Sequence, residues 1–175
     1  MDHTPNVSSE EISACPSCLA PGVGSLAECR TVFDQVVGRE FSDPEYFRMH
    51  RLTVDAYSLQ HPEQFMKSSK SAAAHLVGMC WSMERGRSLH LPKPLKQWVD
   101  GPRHYVRIVP PAPGLRGDTT VASVVDVSDV TDYEKRVLAW AQSAWRAWYT
   151  HWTQAQAWVE EALVEYCAGT DMQRF

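Results

Sequence analysis

A pair of closely spaced cysteines near the amino terminus constrains this chain more than any other feature. The run Cys15-Pro16-Ser17-Cys18 places two thiols on one tight turn, and Cys29 adds a third thiol further on. Two thiolates at this spacing fit two corners of the tetrahedral shell that Zn²⁺ prefers. We therefore predict a zinc knuckle, residues 15–18, that is attached to the first helix of the fold.

The overall composition is that of a soluble protein with a single core. The chain has 175 residues, a net charge of −4 and 44% hydrophobic residues, which is enough for one domain. No apolar run approaches the ~18 residues of a membrane helix, and residues 1–5 do not resemble a secretory signal. The five cysteines are an odd number, which argues against a disulfide framework. We expect a cytoplasmic protein with free thiols and no membrane association.

Capping residues and apolar periodicity predict four main helices. The first three cover residues 25–39, 42–60 and 69–83. The last helix opens at the capping box that begins with Thr131 and runs for about 35 residues, until Gly169 provides a stop. Its tryptophans fall at the alternating three- and four-residue steps of a bundle seam, except Trp140 and Trp158.

Residues 84–118 interrupt the helical pattern with many prolines and glycines. We interpret this segment as a long crossover with one short helix near residues 95–99. The next segment, residues 119–130, is rich in β-branched side chains and favours an extended conformation. The predicted fold class is mainly α: an up-and-down helical bundle with an N-terminal zinc knuckle and a long Pro/Gly-rich crossover.

The same pattern predicts the domain organisation. We expect a flexible tail over residues 1–12, a single helical zinc-binding domain over residues 13–168 and a C-terminal tail over residues 169–175.

The fourth zinc ligand is inferred from helix geometry. If the first two helices form a hairpin that turns near residues 40–43, then at 1.5 Å per residue His61 lies about 10 Å beyond the level of Cys29 and His50 about 6 Å short of it. Because the knuckle approaches from the far end, we prefer His61 and keep His50 as the alternative. The predicted metal ligands are Cys15, Cys18, Cys29 and His61.

Three further histidines define a possible second polar pocket inside the bundle. His50, His75 and His151 lie on different predicted helices, and neutral imidazoles on facing helices can bind a metal or transfer protons. The competing interpretation is that these are hydrogen-bonded core histidines. We expect no carboxylate partner in this pocket, because Asp55 is placed to pair with Arg51 on a solvated strip.

The cysteines, the histidines and the sequence around them resemble the pattern of a bacterial family of unknown function. The similarity covers about residues 13–165 and includes the cysteines, His50 and the run from Val54 to Pro62, which is the most specific part. In that family a second histidine often follows the one that matches His151, whereas this chain has Trp152 there. The resemblance implies no activity, but it supports treating the cysteines and histidines as one group.

The leading functional hypothesis is a zinc-stabilised helical protein that acts by binding, as an adaptor or regulatory module with a protein partner. Four protein ligands close a zinc site and leave no position for a substrate. The alternative is a metal-dependent enzyme that uses the histidine-lined pocket. Nucleic-acid binding is disfavoured: the crossover has 7 basic and 3 acidic residues, which makes only +4 within an acidic chain.

Overall fold

The structure is a computed structural model that describes residues 13–85 and 90–171, and it confirms the predicted mainly helical bundle. The part of the chain that it describes contains no strand. The predicted tail of residues 1–12 and residues 172–175 lie outside the described residues. The helices are α1 (Leu26–Ser42), α2 (Pro44–Phe47), α3 (His50–Gln60), α4 (Pro62–Phe65), α5 (Ser69–Glu84), α6 (Lys93–Asp100), α7 (Val130–Ala147) and α8 (Trp152–Asp171).

The first helix begins where its capping residues predict, because the Ser25 side chain accepts a hydrogen bond from the Glu28 amide at 3.1 Å. It does not end at Arg39 as predicted, however, and continues to Ser42. The buried face of α1 presents Cys29, Phe33 and Val36 to the core.

The predicted second helix is divided into α2 and α3 by a short break at Arg48 and Met49. The break moves the turn between α1 and α3 toward the C terminus, to the segment between Ser42 and His50. The predicted turn near residues 40–43 was therefore placed too early. This shift brings the C-terminal end of α3 level with the first turns of α1.

Helix α3 lies at the centre of the molecule and packs against α1, α5 and α7. Two buried tryptophans fix its C-terminal end. The indole of Trp140 donates to the Gln60 side-chain oxygen at 2.8 Å, and the indole of Trp148 donates to the Leu59 carbonyl at 3.1 Å. Trp140 is thus a core residue, although it falls outside the predicted seam.

The predicted last helix is two helices, α7 and α8, joined by a 3-10 turn at Tyr149–His151. The Trp152 indole donates to the Trp145 carbonyl at 3.0 Å, and the Trp148 amide donates to the same carbonyl at 3.0 Å. Helix α8 continues to Asp171, past Gly169. Trp158 covers part of the crossover, with its ring 6.0 Å from that of Trp98.

The segment at residues 119–130 is not extended, so that prediction is wrong. It forms a 3-10 turn at Val121–Ser123, and the carbonyls that follow accept hydrogen bonds from the guanidinium of Arg39, including that of Val127. The backbone carbonyls of this segment bind the Arg39 side chain of α1 rather than a neighbouring strand. The β-branched residues therefore do not decide the conformation here.

Two glycines offer a matched test of the fold. Gly117 has φ +105°, and a Cβ there would lie 2.9 Å from the Ser143 carbonyl carbon, whereas a Cβ at Gly38 in α1 would meet nothing within 4 Å. Gly117→Ala should lower the free energy of unfolding by about 2 kcal/mol or more, through strain and overlap. Gly38→Ala should raise it by about 0.5–1 kcal/mol. Urea unfolding followed by circular dichroism checks both, and equal effects would contradict this packing.

Candidate metal centre

The knuckle is a tight loop that turns both of its thiols inward. The Cys15 amide donates to the Ala20 carbonyl at 3.0 Å, and the Gly22 amide donates to the Ser13 carbonyl at 2.9 Å. Leu19 adopts φ +61°, a left-handed conformation that a non-glycine residue rarely takes. The loop therefore closes on itself, and Cys15 and Cys18 are buried although no helix carries them.

The other two members of the cluster come from helix ends. Cys29 lies in the first turn of α1, and His61 lies between α3 and α4, where Pro62 begins the new helix. Both side chains are buried. Because the helix stops at Gln60, His61 is free to turn its ring toward the knuckle and the start of α1.

The four side chains converge on one small volume. Nε2 of His61 lies 3.6 Å from the Cys15 sulfur and 3.4 Å from the Cys29 sulfur, and the Cys18 and Cys29 sulfurs are 3.8 Å apart. All four ligand atoms lie within 4.8 Å of one another. A separation of 3.8 Å is far beyond a disulfide bond of about 2.05 Å, and all three thiols are free. This arrangement is suited to holding a metal ion.

A backbone contact fixes the tautomer of His61. Its Nδ1 lies 3.0 Å from the Tyr57 carbonyl, and because a carbonyl only accepts, Nδ1 must carry the proton. The lone pair of the neutral ring is then on Nε2, the atom that faces the sulfurs. The Tyr57 ring stacks on the imidazole at 3.9 Å and holds its orientation. Metal-binding histidines in proteins are oriented in this way.

Charge is the second argument for a cation. The Cys18 thiol donates a hydrogen bond that lowers the pKa of Cys29 well below the usual range of a thiol. The same hydrogen bond, together with burial, raises the pKa of Cys18. Without a metal ion, the cluster therefore favours the thiolate of Cys29 and keeps the thiol of Cys18 protonated. A bound divalent cation would allow the buried sulfurs to ionise together.

A buried arginine ties the knuckle to the crossover and to the end of α3. Arg116 is 1% exposed, and it donates to the Ser17 hydroxyl at 2.6 Å and to the Gln60 carbonyl at 3.2 Å. The same guanidinium binds both carboxylate oxygens of Glu63. Nothing in the local sequence marks Arg116 for this role, because it stands in a Pro/Gly-rich segment among other basic residues.

The structure places the other predicted histidines away from this cluster. His50, the alternative fourth ligand, lies at the opposite end of α3 from His61. Nε2 of His151 lies 2.8 Å from the carbonyl of Val109, in the crossover. His50 and His75 line a common cleft whose lining does not include His151. The predicted three-histidine pocket is therefore corrected to a pair.

The expectation of no carboxylate partner for these histidines is wrong. Asp55 is 3% exposed and lies 2.8 Å from Nδ1 of His75, because α5 packs over the strip that appeared solvated in the sequence. Glu40 is completely buried and lies 2.8 Å from Nδ1 of His50. The role of Glu40 was not predicted, since a lone glutamate near a helix end carries no distinguishing pattern.

Comparison with protein families adds a finding to this geometry. A family model described as a family of unknown function, DUF5946, matches residues 13–149. The chain belongs to this family. The DUF5946 match contains all four residues of the cluster and both carboxylate–histidine pairs. It confirms the resemblance to a family of unknown function and ends before α8 begins at Trp152. No curated protein and no solved structure matches the chain.

The arginine contacts yield a prediction for stability. Arg116→Met removes the donor to Ser17 and to the Pro111 carbonyl, which is 2.9 Å from the guanidinium. Buried acceptors without a donor cost about 1–3 kcal/mol each, so the free energy of unfolding should fall by about 2 kcal/mol or more. The control Arg136→Met breaks an exposed pair with Asp132 and an exposed 3.4 Å contact with the Ser123 carbonyl, and it should cost less than about 0.5 kcal/mol. Urea unfolding at equal metal content checks this, and equal losses would contradict a structural role for Arg116.

Proposed function

We propose that this protein is a zinc-stabilised helical binding module, whose zinc ion is structural and is held by Cys15, Cys18, Cys29 and His61. The observation that carries the proposal is the convergence of four buried ligand atoms from three separate segments. Among the residues that the structure describes, this is the one group of three or more such side chains close enough to hold an ion.

The spacing of the ligand atoms supports a tetrahedral ion of the size of zinc. With Zn–S bonds of about 2.3 Å and a Zn–N bond of about 2.0 Å, a regular tetrahedron has S···S distances of about 3.8 Å and S···N distances of about 3.5 Å. The Cys18–Cys29 distance is 3.8 Å, and the two sulfur–nitrogen distances from His61 are 3.4 and 3.6 Å. Three thiolates and one imidazole are also a donor set typical of structural zinc.

The closed ligand set supports a structural role rather than a catalytic one. Catalytic zinc keeps one position for water or substrate, whereas four protein ligands fill the shell. The ligand residues His61 and Cys29 are 1% and 0% exposed, so very little of the ligand shell is open to a substrate. In this proposal the zinc ion holds the knuckle against α1 and the end of α3.

Apolar side chains around the knuckle support a protein partner. Leu19 at the tip of the knuckle is 55% exposed, and Leu115 in the crossover is 70% exposed. Between the knuckle and α4 lies a mainly apolar cleft of about 210 Å³ that Pro16, Leu26 and Pro113 help to line. We infer that this face receives an apolar side chain of a partner protein, since such surfaces mark interaction sites.

Two further features belong to this proposal. We propose that residues 13–168 act as one unit, since α8 packs on α5 and α6 of the family region. Free thiols throughout the described part of the chain support a cytoplasmic setting. None of the described helices combines the length and the apolarity that crossing a bilayer requires.

The metal can be tested directly by composition. The purified full-length protein should contain one zinc per chain, measured by inductively coupled plasma mass spectrometry. The double variant Cys15→Ser, Cys18→Ser should lose the zinc and melt at a lower temperature, because two of the four bonds to the ion are removed.

The matched control is Cys80→Ala. Cys80 is as fully buried as the ligand cysteines but lies in α5, outside the cluster. It should keep one zinc per chain even where its packing loss lowers the melting temperature. Zinc retained at full stoichiometry by the double variant would refute the proposed site, and zinc lost from Cys80→Ala would show that metal content merely follows stability.

A further inference from the structure

The three thiols of the cluster differ in the neighbours that they contact. The Cys18 sulfur lies 3.8 Å from the Cys29 sulfur, in hydrogen-bonding contact across eleven positions of the chain. The Cys15 sulfur instead contacts Nε2 of His61 at 3.6 Å. Although Cys15 and Cys18 are close in sequence, the sulfur pair in hydrogen-bonding contact is therefore Cys18 with Cys29.

The backbone of the knuckle adds to this difference. The Leu19 amide donates to the Cys15 carbonyl at 2.9 Å, and the Cys15 amide donates to the Ala20 carbonyl at 3.0 Å. These bonds fix the two cysteines of the turn relative to each other. Cys18 and Cys29 belong to separate segments, the knuckle and α1, which can move as units. An approach of about 1.8 Å would bring their sulfurs to the bond length of a disulfide, about 2.05 Å.

The cover over these sulfurs is a single layer of chain. Pro16, Leu19 and Pro21 are exposed, whereas Cys18, between them, is only 2% exposed. No helix carries this loop, and segments with few buried apolar contacts open locally at low free energy. The adjoining cleft of about 210 Å³ already reaches His61. A molecule as small as hydrogen peroxide thus reaches the thiols without unfolding of the helices.

From these observations we propose that Cys18 and Cys29 are an oxidation site, at which hydrogen peroxide forms a reversible disulfide and releases the zinc ion. The inference rests on the zinc site proposed above. One thiolate sulfur attacks a peroxide oxygen, the O–O bond breaks, hydroxide leaves and a sulfenic acid forms. The other thiolate then attacks this sulfur, and a second hydroxide leaves. The two thiolates together lose the two electrons that the peroxide gains.

Zinc leaves because the disulfide removes two of its four ligands. Cys15 and His61 remain, and two protein ligands do not make a structural zinc shell. The disulfide keeps the knuckle on α1, while Arg116 still joins the knuckle to the end of α3 by donating to the Ser17 hydroxyl and the Gln60 carbonyl. The oxidised protein therefore stays folded, and it binds zinc again once the disulfide is reduced.

Oxidation also acts on the proposed partner face. Pro16 and Ser17 line the apolar cleft from the knuckle, and His61 and Glu63 line it from the side of α3 and α4. The zinc ion joins these two walls, so its release changes their spacing. Oxidation of Cys18 and Cys29 thereby regulates the binding of a partner side chain in the cleft.

The experiment adds hydrogen peroxide to the reduced, zinc-loaded full-length protein. Released zinc is measured with a chromophoric chelator. Remaining thiols are blocked with N-ethylmaleimide under denaturing conditions, and disulfides are then reduced and labelled with iodoacetamide. We expect one zinc released per disulfide, iodoacetamide label on Cys18 and Cys29, and N-ethylmaleimide on Cys15. Cleavage after Glu28 separates Cys29 from the knuckle for mass spectrometry. Treatment with dithiothreitol, followed by Zn²⁺, should restore one zinc per chain.

Cys15→Ser and Cys18→Ser are matched variants, because each removes one ligand from the knuckle. Peroxide should still join the knuckle to Cys29 in Cys15→Ser but not in Cys18→Ser. If circular dichroism shows that either variant is unfolded, the labels on the unsubstituted protein decide the question.

Three results would overturn this proposal: a disulfide between Cys15 and Cys18, equal cross-linking to Cys29 in both variants, or zinc release without a disulfide. Zinc that is present and stays bound after peroxide treatment would refute the oxidation site alone. A protein that is purified without zinc would refute the structural zinc site as well.

Discussion

The meeting of three sulfurs and one imidazole in a single buried volume is the constraint on which the rest of the structure depends. Buried thiols at distances of 3.4–3.8 Å from their neighbours cannot all ionise without a cation between them. The knuckle has no helix of its own, and its apolar content is small. In the proposed zinc site, its position is set by bonds from Cys15 and Cys18 to an ion that also joins Cys29 on α1 and His61 at the end of α3. The binding free energy of such an ion is then part of the folding free energy.

Helix α3 connects the thiol cluster with the histidine cleft. His50 begins this helix and His61 follows its last residue, a separation of about 16 Å along the axis at 1.5 Å per residue. The thiol cluster lies at one end of α3, while Trp140, Trp148 and the helix α5 hold its sides. His50 is consequently carried by a helix that is held on several sides, and His75 lies on the neighbouring helix α5.

The sequence alone was sufficient for features that depend on local chemistry. The cap at Ser25, the helical class and the grouping of His61 with the cysteines all follow from residue types and spacing, although the turn that brings His61 to Cys29 was placed too early. What could not be predicted depends on neighbours far away in the chain. Asp55 was predicted to be solvated because it can form an i, i+4 ion pair with Arg51 on a polar strip of the helix. In the structure, α5 covers Asp55. Likewise, nothing local marks Glu40 as the buried partner of a histidine, since its hydroxyl donors lie on α3 and α7.

X-ray absorption at the zinc edge of the purified protein tests the central claim most directly. It reports the atoms bonded to the ion, independently of stability or of any substitution. The account predicts a first shell of three sulfurs at about 2.3 Å and one nitrogen at about 2.0–2.1 Å. A first shell made of nitrogen and oxygen alone, or one with fewer than three sulfurs, would contradict it, because the ion would then not join the knuckle to both α1 and α3.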